Sequence, residues 1–339
     1  MYNTDHEMKA LASYVRLPTI EDKENLPVYS HSRLECFENC SYQYYLKYEQ
    51  KKYSADTTIA LELGTLCHYI YEIAAKMWLD NKGIIDYDYL WNILENGHIE
   101  NRVTGLNTLR KKYFEEWYTA DSEGHFYDWK IEQFKKGIQQ YFSNMISWKP
   151  YKQEMFFEFV FNNRAIILGY IDAILINDQD ELMCQDFKTS KKQFPQSKIP
   201  TSQQFGIYCM GMLAKLGQIP VQCDYKFVLL NETQNALTDG FGNRIVKKLN
   251  GVLDKIDKNK KTGIWTPTPS ALCAWCNFSM TNPKAHEFKG DCEYYSLWTP
   301  ENKVWAVNKK YNALDNAGKK STIDTGNKIK LNSGRKLIF

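Results

Sequence analysis

The sequence predicts an α/β fold, a central sheet flanked by helices. Three observations carry this. The stretch "TTIALELGTLCHYIYEIAAKMWLD" (57–80) repeats apolar residues at helical spacing, with Leu63, Leu66, Ile70, Ile73, Ala74 and Met77 on one stripe. From Glu154 the period changes, and "EMFFEFVF", "AIILGYIDAILI" and "ELMCQDFKT" read as strands dense in aromatic and branched residues. A helix over 203–216 follows, capped by Thr201 or Ser202 after Pro200 and stopped by Gly217.

The remaining elements follow in chain order. Residues 1–29 are mixed and charged and read as an N-terminal arm. In "SHSRLECFENCSYQYYLKY", Ser32 and Glu35 have capping-box spacing, so a helix should carry Leu34, Phe37 and Tyr45 together with Cys36 and Cys40. Residues 80–150, rich in Trp and Tyr, read as a helical insertion with loops at "NKG" and "DSEG". The turn "NDQD" joins the second and third strands, and "CDYKFVLLNE" (223–232) reads as another strand. A helix over 244–257 precedes a cysteine-bearing segment at 265–295. Within 301–339, nine Lys/Arg stand against three acids, so 299–339 reads as a basic tail, flexible or peripheral. The main body then spans 30–298.

A hydrophobic content of 43% and a charged content of 24% over 339 residues are those of a globular protein with ample core. A net charge of +3 is too small to argue nucleic-acid binding by itself. The start "MYNTDHEMKA" lacks a basic, apolar leader, and the long uncharged stretch "IWTPTPSALCAWCNFSMTNP" is polar and proline-bearing. A cytoplasmic setting is expected, where nine cysteines argue for buried thiols plus a metal or cluster over disulfides.

The hairpin holds the chemistry. With its turn centred near Gln179, Asp172 and Asp186 become cross-strand partners, about 4.5–5.5 Å apart at Cβ. Lys188, two residues past Asp186, shares that face while Phe187 points the other way. Most Asp and Lys side chains on hairpins are simply solvated. Asp172, however, sits in the run Ile166–Ile176, which reads as a strand covered on both faces. Two close carboxylates repel, and one takes up a proton unless a cation lies between them. Paired oxygen ligands suit Mg²⁺ or Mn²⁺, with Lys188 beside the metal to hold a water or a phosphate oxygen.

Two helical sets accompany the hairpin. Gly64, His68 and Glu72 lie at i, i+4, i+8 on one face, where neutral His68 is a candidate metal ligand and Gly64 permits close approach to another backbone. Gln204 and Tyr208, at i, i+4, present an amide and a phenol together. Singly these are ordinary features of amphipathic helices.

Taken in order, "GTLCH", "GYID", "DFKT" and "QFGIY" resemble the G-x-x-x-H, G-x-x-D, D-[FY]-K-T and Q-x-x-x-Y elements of the PD-(D/E)XK nuclease superfamily, in its RecB-like exonuclease branch. The resemblance implies a restriction-endonuclease-like mixed sheet. It implies Mg²⁺ or Mn²⁺ bound by His68, Asp172, Asp186 and the backbone carbonyl of Phe187, with Asp172, Asp186 and Lys188 as the catalytic group. Gln204 and Tyr208 would contact DNA and support the site, and Lys191 and Lys192 would lie near the DNA backbone. The implied activity is a metal-dependent DNA exonuclease acting on single strands or ends in recombination, repair or replication. A helicase or recombination protein is the implied partner, in a bacterial cell or a virus-infected host cell. A catalytically inactive module that binds DNA or a partner is the alternative, although such modules typically lose the metal ligands or the lysine.

"CAWC" supplies Cys273 and Cys276, with Cys292 beyond and Cys40 upstream. Four thiolates suit tetrahedral zinc or an iron–sulfur cluster. The order of one cysteine before the core and three after it resembles the iron–sulfur subgroup of these nucleases, such as AddB and the CRISPR-associated exonucleases. It implies a 4Fe-4S cluster on Cys40, Cys273, Cys276 and Cys292, with Zn²⁺ the alternative. The usual third C-terminal position is Asn282 here, so His286 remains a substitute for Cys292, and Cys36 a rival of Cys40.

Overall fold

The computed structural model describes residues 4–54, 57–98, 103–118, 126–190, 192–238, 241–299 and 304–309. The chain divides into two compact units, one of Met1–His31 and Thr57–Lys248, the other of Ser32–Asp56 and Leu249–Phe339. Among the described residues no helix is long and apolar enough to cross a membrane.

In chain order the first elements are α1 (Thr4–Ala12), β1 (Val15–Arg16), α2 (Ile20–Asn25) and β2 (Val28–Ser30). Next come α3 (His31–Asn39) and α4 (Ser41–Tyr44) of the second unit. The helical insertion follows α5 (Ile59–Asp80). It comprises α6 (Tyr87–Asn96), the short strands β3 (Gly97–His98) and β4 (Val103–Thr104), α7 (Leu106–Lys112), α8 (Phe114–Tyr118) and α9 (Phe126–Ser143). Then come β5 (Trp148–Phe161), β6 (Ala165–Asn177), β7 (Leu182–Lys188), α10 (Gln203–Leu216), β8 (Gln222–Phe227), β9 (Glu232–Leu237) and α11 (Phe241–Thr262). A final hairpin pairs β10 (Ser296–Thr299) with β11 (Val304–Val307).

The first unit is a mixed seven-stranded sheet flanked by helices, a restriction-endonuclease-like α/β fold. Its order is β1-β5-β6-β7-β8-β9, with β2 also paired to β6. The β7/β8 and β2/β6 pairs are parallel and the others antiparallel. The stretch read as an arm therefore contributes two strands to the sheet. The strand expected over 223–232 stops at Phe227, because Asn231 takes a left-handed φ of 54° and turns the chain into β9. Val228 and Leu229, apolar enough to mimic a strand, are buried in the turn. The helix expected over 244–257 is longer, and Ser32 lies one residue inside α3.

The apolar stripe of α5 packs with Ile131, Phe134 and Ile138 of α9 and with Ala173 and Phe187 of the sheet in one core. Adjacent strand residues face opposite ways, so Asp186 points away from this core, toward α10. Two glycines let α10 approach closely. A Cβ at Gly206 would lie 2.6 Å from Ile245, and one at Gly211 would lie 2.6 Å from the Phe157 ring. Ser202 caps α10 by accepting the Phe205 N–H, and Gly217 ends it at φ 70°.

The second unit is held by aromatic packing. Trp265 stacks on Tyr44 and Tyr45 with ring centroids 5.6 and 5.5 Å apart, and Phe37 meets it edge-on. Ser41 Oγ donates to the Thr266 carbonyl at 2.8 Å, and Lys52 pairs with Asp291 at 2.7 Å.

Candidate active site

The β6/β7 register runs from Ile176↔Leu182 to Ala173↔Gln185, as a turn centred on Gln179 requires. One further step brings Asp172 opposite Asp186. There the strands part, and Asp172 Oδ2 accepts the main-chain N–H of Phe187 at 2.7 Å. Burial pushes the Asp172 carboxyl well above the ordinary carboxylate range, and the negative charge of Asp186 pushes it further.

His68 enters from α5. Its Nε2–H donates to the Phe187 carbonyl at 2.9 Å, and its Nδ1 lies 3.5 Å from Asp172 Oδ2. Burial lowers the imidazole pKa, so the ring is neutral at neutral pH. With Nε2 as donor, Nδ1 keeps its lone pair, the form a metal requires. Gly64, one helical turn earlier, lies where a Cβ would be 3.3 Å from Thr189 Oγ1, so α5 crosses the end of β7 closely.

Glu154 is the residue that sequence reasoning missed. It lies on β5 between the pairs Gln153↔Ala173 and Met155↔Ile171, level with Asp172, and has a left-handed φ of 45°. Such a conformation is costly for a residue other than glycine and concentrates at functional sites. Burial, then Glu72 and Asp186, push its carboxyl up to about 7. One ligand atom each from His68, Glu154 and Asp172 lies within 4.8 Å of the others. Nothing in the local pattern separates Glu154 from Glu158 on the same strand. Only the fold brings it level with Asp172.

Asp186 and Lys188 form the adjoining group. Lys188 Nζ is 2.5 Å from Asp186 Oδ2 and donates to Gln204 Oε1 at 3.2 Å. Asp186 Oδ1 accepts from the Tyr208 hydroxyl at 2.8 Å and from Gln204 Nε2 at 2.5 Å. Burial raises the Tyr208 phenol well above its usual value, so it keeps the proton it donates. Gln204 and Tyr208, expected from the sequence to contact DNA and support the site, direct their polar groups at Asp186 and Lys188. Lys192 is exposed, and Lys191 lies outside the described residues.

The donor set fits a divalent cation. A neutral imidazole nitrogen stands with the Glu154 and Asp172 carboxyls, both pushed upward by burial and then by nearby acids that include Asp186, and a hard cation offsets that penalty.

Within the second unit, Cys40, Cys273, Cys276 and Cys292 line one cavity of about 30 Å³, while Cys36 does not. Main-chain N–H groups of Thr268 and Gln43 donate to Cys40 Sγ at 3.3 and 3.4 Å, and that of Ser270 donates to Cys273 Sγ at 3.5 Å. Burial pushes the Cys276 and Cys292 thiols up to about 12, and the neighbouring sulfurs add to the shift. Among the described residues no three cysteine sulfurs lie within 4.8 Å of one another.

A search of curated proteins returns no match. A profile of the PD-(D/E)XK nuclease superfamily matches residues 28–281, three-quarters of the chain. That span contains six of the sheet's seven strands, the hairpin with its two aspartates and lysine, and the histidine helix. Nucleases of this superfamily generally use divalent metals, in keeping with the cluster that Glu154 of β5 and Asp172 of β6 form with His68. On this fold, this match and this arrangement of side chains, the chain belongs to the PD-(D/E)XK nuclease superfamily.

Proposed function

We propose that this protein is a metal-dependent DNA exonuclease of the RecB-like branch. The observation that carries the reading is the meeting of His68, Glu154 and Asp172 within 4.8 Å, next to the Asp186–Lys188 pair. His68 Nδ1, Glu154 and Asp172 would hold Mg²⁺ or Mn²⁺, with Asp186 and the Phe187 carbonyl at its border. The cation supplies positive charge at the scissile phosphate and makes water a better nucleophile at neutral pH. The protein does the rest. Phe187 N–H and C=O fix Asp172 and His68, and Gln204 and Tyr208 fix Asp186. Asp186 in turn aims the Lys188 ammonium at the attacking water or a phosphate oxygen. Retention of Lys188 favours the enzyme over the inactive-module reading.

The same proposal gives the second unit a 4Fe-4S cluster on Cys40, Cys273, Cys276 and Cys292. The four cysteines that line one cavity support a four-thiolate site. By family analogy the enzyme acts in the cytoplasm on DNA ends or single strands opened by a helicase, during recombination, repair or replication.

The test is digestion of end-labelled linear and closed circular DNA with Mg²⁺ or Mn²⁺, beside Asp172→Ala and Lys188→Ala. Loss of label from linear DNA alone, abolished in both variants, is expected. Binding without cleavage in either metal would return the protein to the inactive-module reading. Brown protein from anaerobic purification, with iron and acid-labile sulfide, is expected. Colourless protein with one zinc would replace the cluster by Zn²⁺.

A further inference from the structure

Two large aromatics on the sheet stay in water beside the candidate metal centre. Phe156 is 40% exposed and Tyr170 56% exposed, whereas Phe157, Phe159 and Phe161 of the same strand are buried. Phe156 and Tyr170 are direct cross-strand partners, and their ring centroids lie 5.2 Å apart. Scattered exposed apolar residues need no explanation, but a paired and contiguous patch at a site does. The exposed Lys215 of α10 places its ammonium 5.8 Å from the Phe156 ring.

The position of the pair matters. Tyr170 precedes Asp172 by two residues on β6, about 7 Å along the chain. Phe156 follows Glu154 by two residues on β5. The rings therefore lie one strand step from two of the three residues that would hold the cation. A base attached to a phosphate at that cation reaches them. In a duplex the base faces are covered by their neighbours, so only an unpaired base can offer a face to a protein ring. Stacking on aromatic rings is tolerant of base identity because every base has a π-face.

We propose that Phe156 and Tyr170 form a stacking site for an unpaired nucleobase next to the reacting phosphate, with Lys215 holding an adjoining phosphate, and that this site selects single-stranded DNA. The inference rests on the nuclease reading for the identity of the neighbouring centre. The affinity measurement that tests it does not depend on cleavage.

The probe is a fluorescent single-stranded oligonucleotide in which one abasic residue is moved along the chain, with a matched duplex as comparison. Affinity is read by anisotropy with Ca²⁺ in place of Mg²⁺. One abasic position is expected to weaken binding by the wild-type protein about tenfold, the duplex to bind more weakly, and Tyr170→Phe to behave as wild type. The double variant Phe156→Ala/Tyr170→Ala should lose the same factor on intact DNA and be indifferent to the abasic residue. An affinity insensitive to abasic residues at every position, or equal for duplex and single strand, overturns the stacking site without reliance on any variant folding. Cleavage by wild-type protein with Mg²⁺ is scored in parallel. An inactive wild type defeats the nuclease reading, whereas an active one indifferent to abasic residues defeats only this proposal.

Discussion

Asp172 and Phe187 are joined by a hydrogen bond from the Phe187 N–H to the carboxylate, 2.7 Å long. The bond asks only for an acceptor, so it separates the structural role of Asp172 from its charge. Asp172→Asn retains the acceptor and removes a buried negative charge facing Asp186. Cleavage should fall by at least ~100-fold, beyond the loss typical of an outer-shell partner. The melting temperature of the metal-free protein should be equal to or above wild type, because the repulsion is gone. Kinetics and calorimetry on the same preparation decide it, and unimpaired cleavage would remove Asp172 from the site.

Glu154 makes the metal-free protein sensitive to pH. Its folded pKa, about 7, lies above the ordinary glutamate value. Between those two values the folded state holds a proton that the unfolded state has released. The contribution is therefore complete below the unfolded pKa and is lost as pH rises through about 7. Burial raises Asp172 with the same sign, and the lowered pKa of His68 acts oppositely. The difference between wild type and Glu154→Gln isolates Glu154. In chelator-treated samples the variant should gain stability on wild type as pH goes from 5 to 8. A constant difference across that range would contradict the buried-carboxyl account.

Lys188 should matter to the chemical step more than to binding. Lys188→Met is expected to lower kcat ~100-fold or more while KM changes little, in the range for a positioned proton-handling group. An equal rise in KM with unchanged kcat would instead make Lys188 a simple phosphate contact.

The four cysteines proposed as cluster ligands differ in position from their rivals. Cys292→Ala and Cys40→Ala should each lose most bound iron, while Cys36→Ala keeps it, because Cys36 does not line the cavity. Iron analysis of the three variants checks this assignment. Retention in Cys292→Ala would transfer the ligand role to another residue such as His286.

Close packing of α10 supplies a test of the fold. Gly211→Ala places a methyl 2.6 Å from Phe157 and should cost ~1–3 kcal/mol in denaturant unfolding. Phe157→Leu should recover part of that loss in the double variant. Additive losses would mean the two residues are not in contact.

Much of this was readable from the residues. The β6/β7 register follows from the turn position, since the period of two fixes which side chains face each other. The bounds of α10 follow from Ser202 and Gly217, whose cap chemistry is local. Glu154 was not readable, because its role depends on β5 lying beside β6 with an inverted φ, and no periodic signal encodes that. Gln204 and Tyr208 are legible as a pair on one helical face that supports the site, but their partners Asp186 and Lys188 are not. A helical face tells which residues travel together and not which partner they meet. The run "FVLL" looked like continuing strand because burial in a turn and burial in a sheet demand the same apolar residues.

The second unit is assembled from segments far apart in the chain, as the contact between Ser41 and Thr266, 225 residues apart, illustrates. At about 5–20 residues per second, a ribosome takes on the order of 10–45 s to travel between them. Through that interval the early cysteine has emerged while the later three do not yet exist. The cavity lined by these four cysteines must then be among the last features of the fold to form, and a chain cut short by premature termination would lack it however well its sheet had formed.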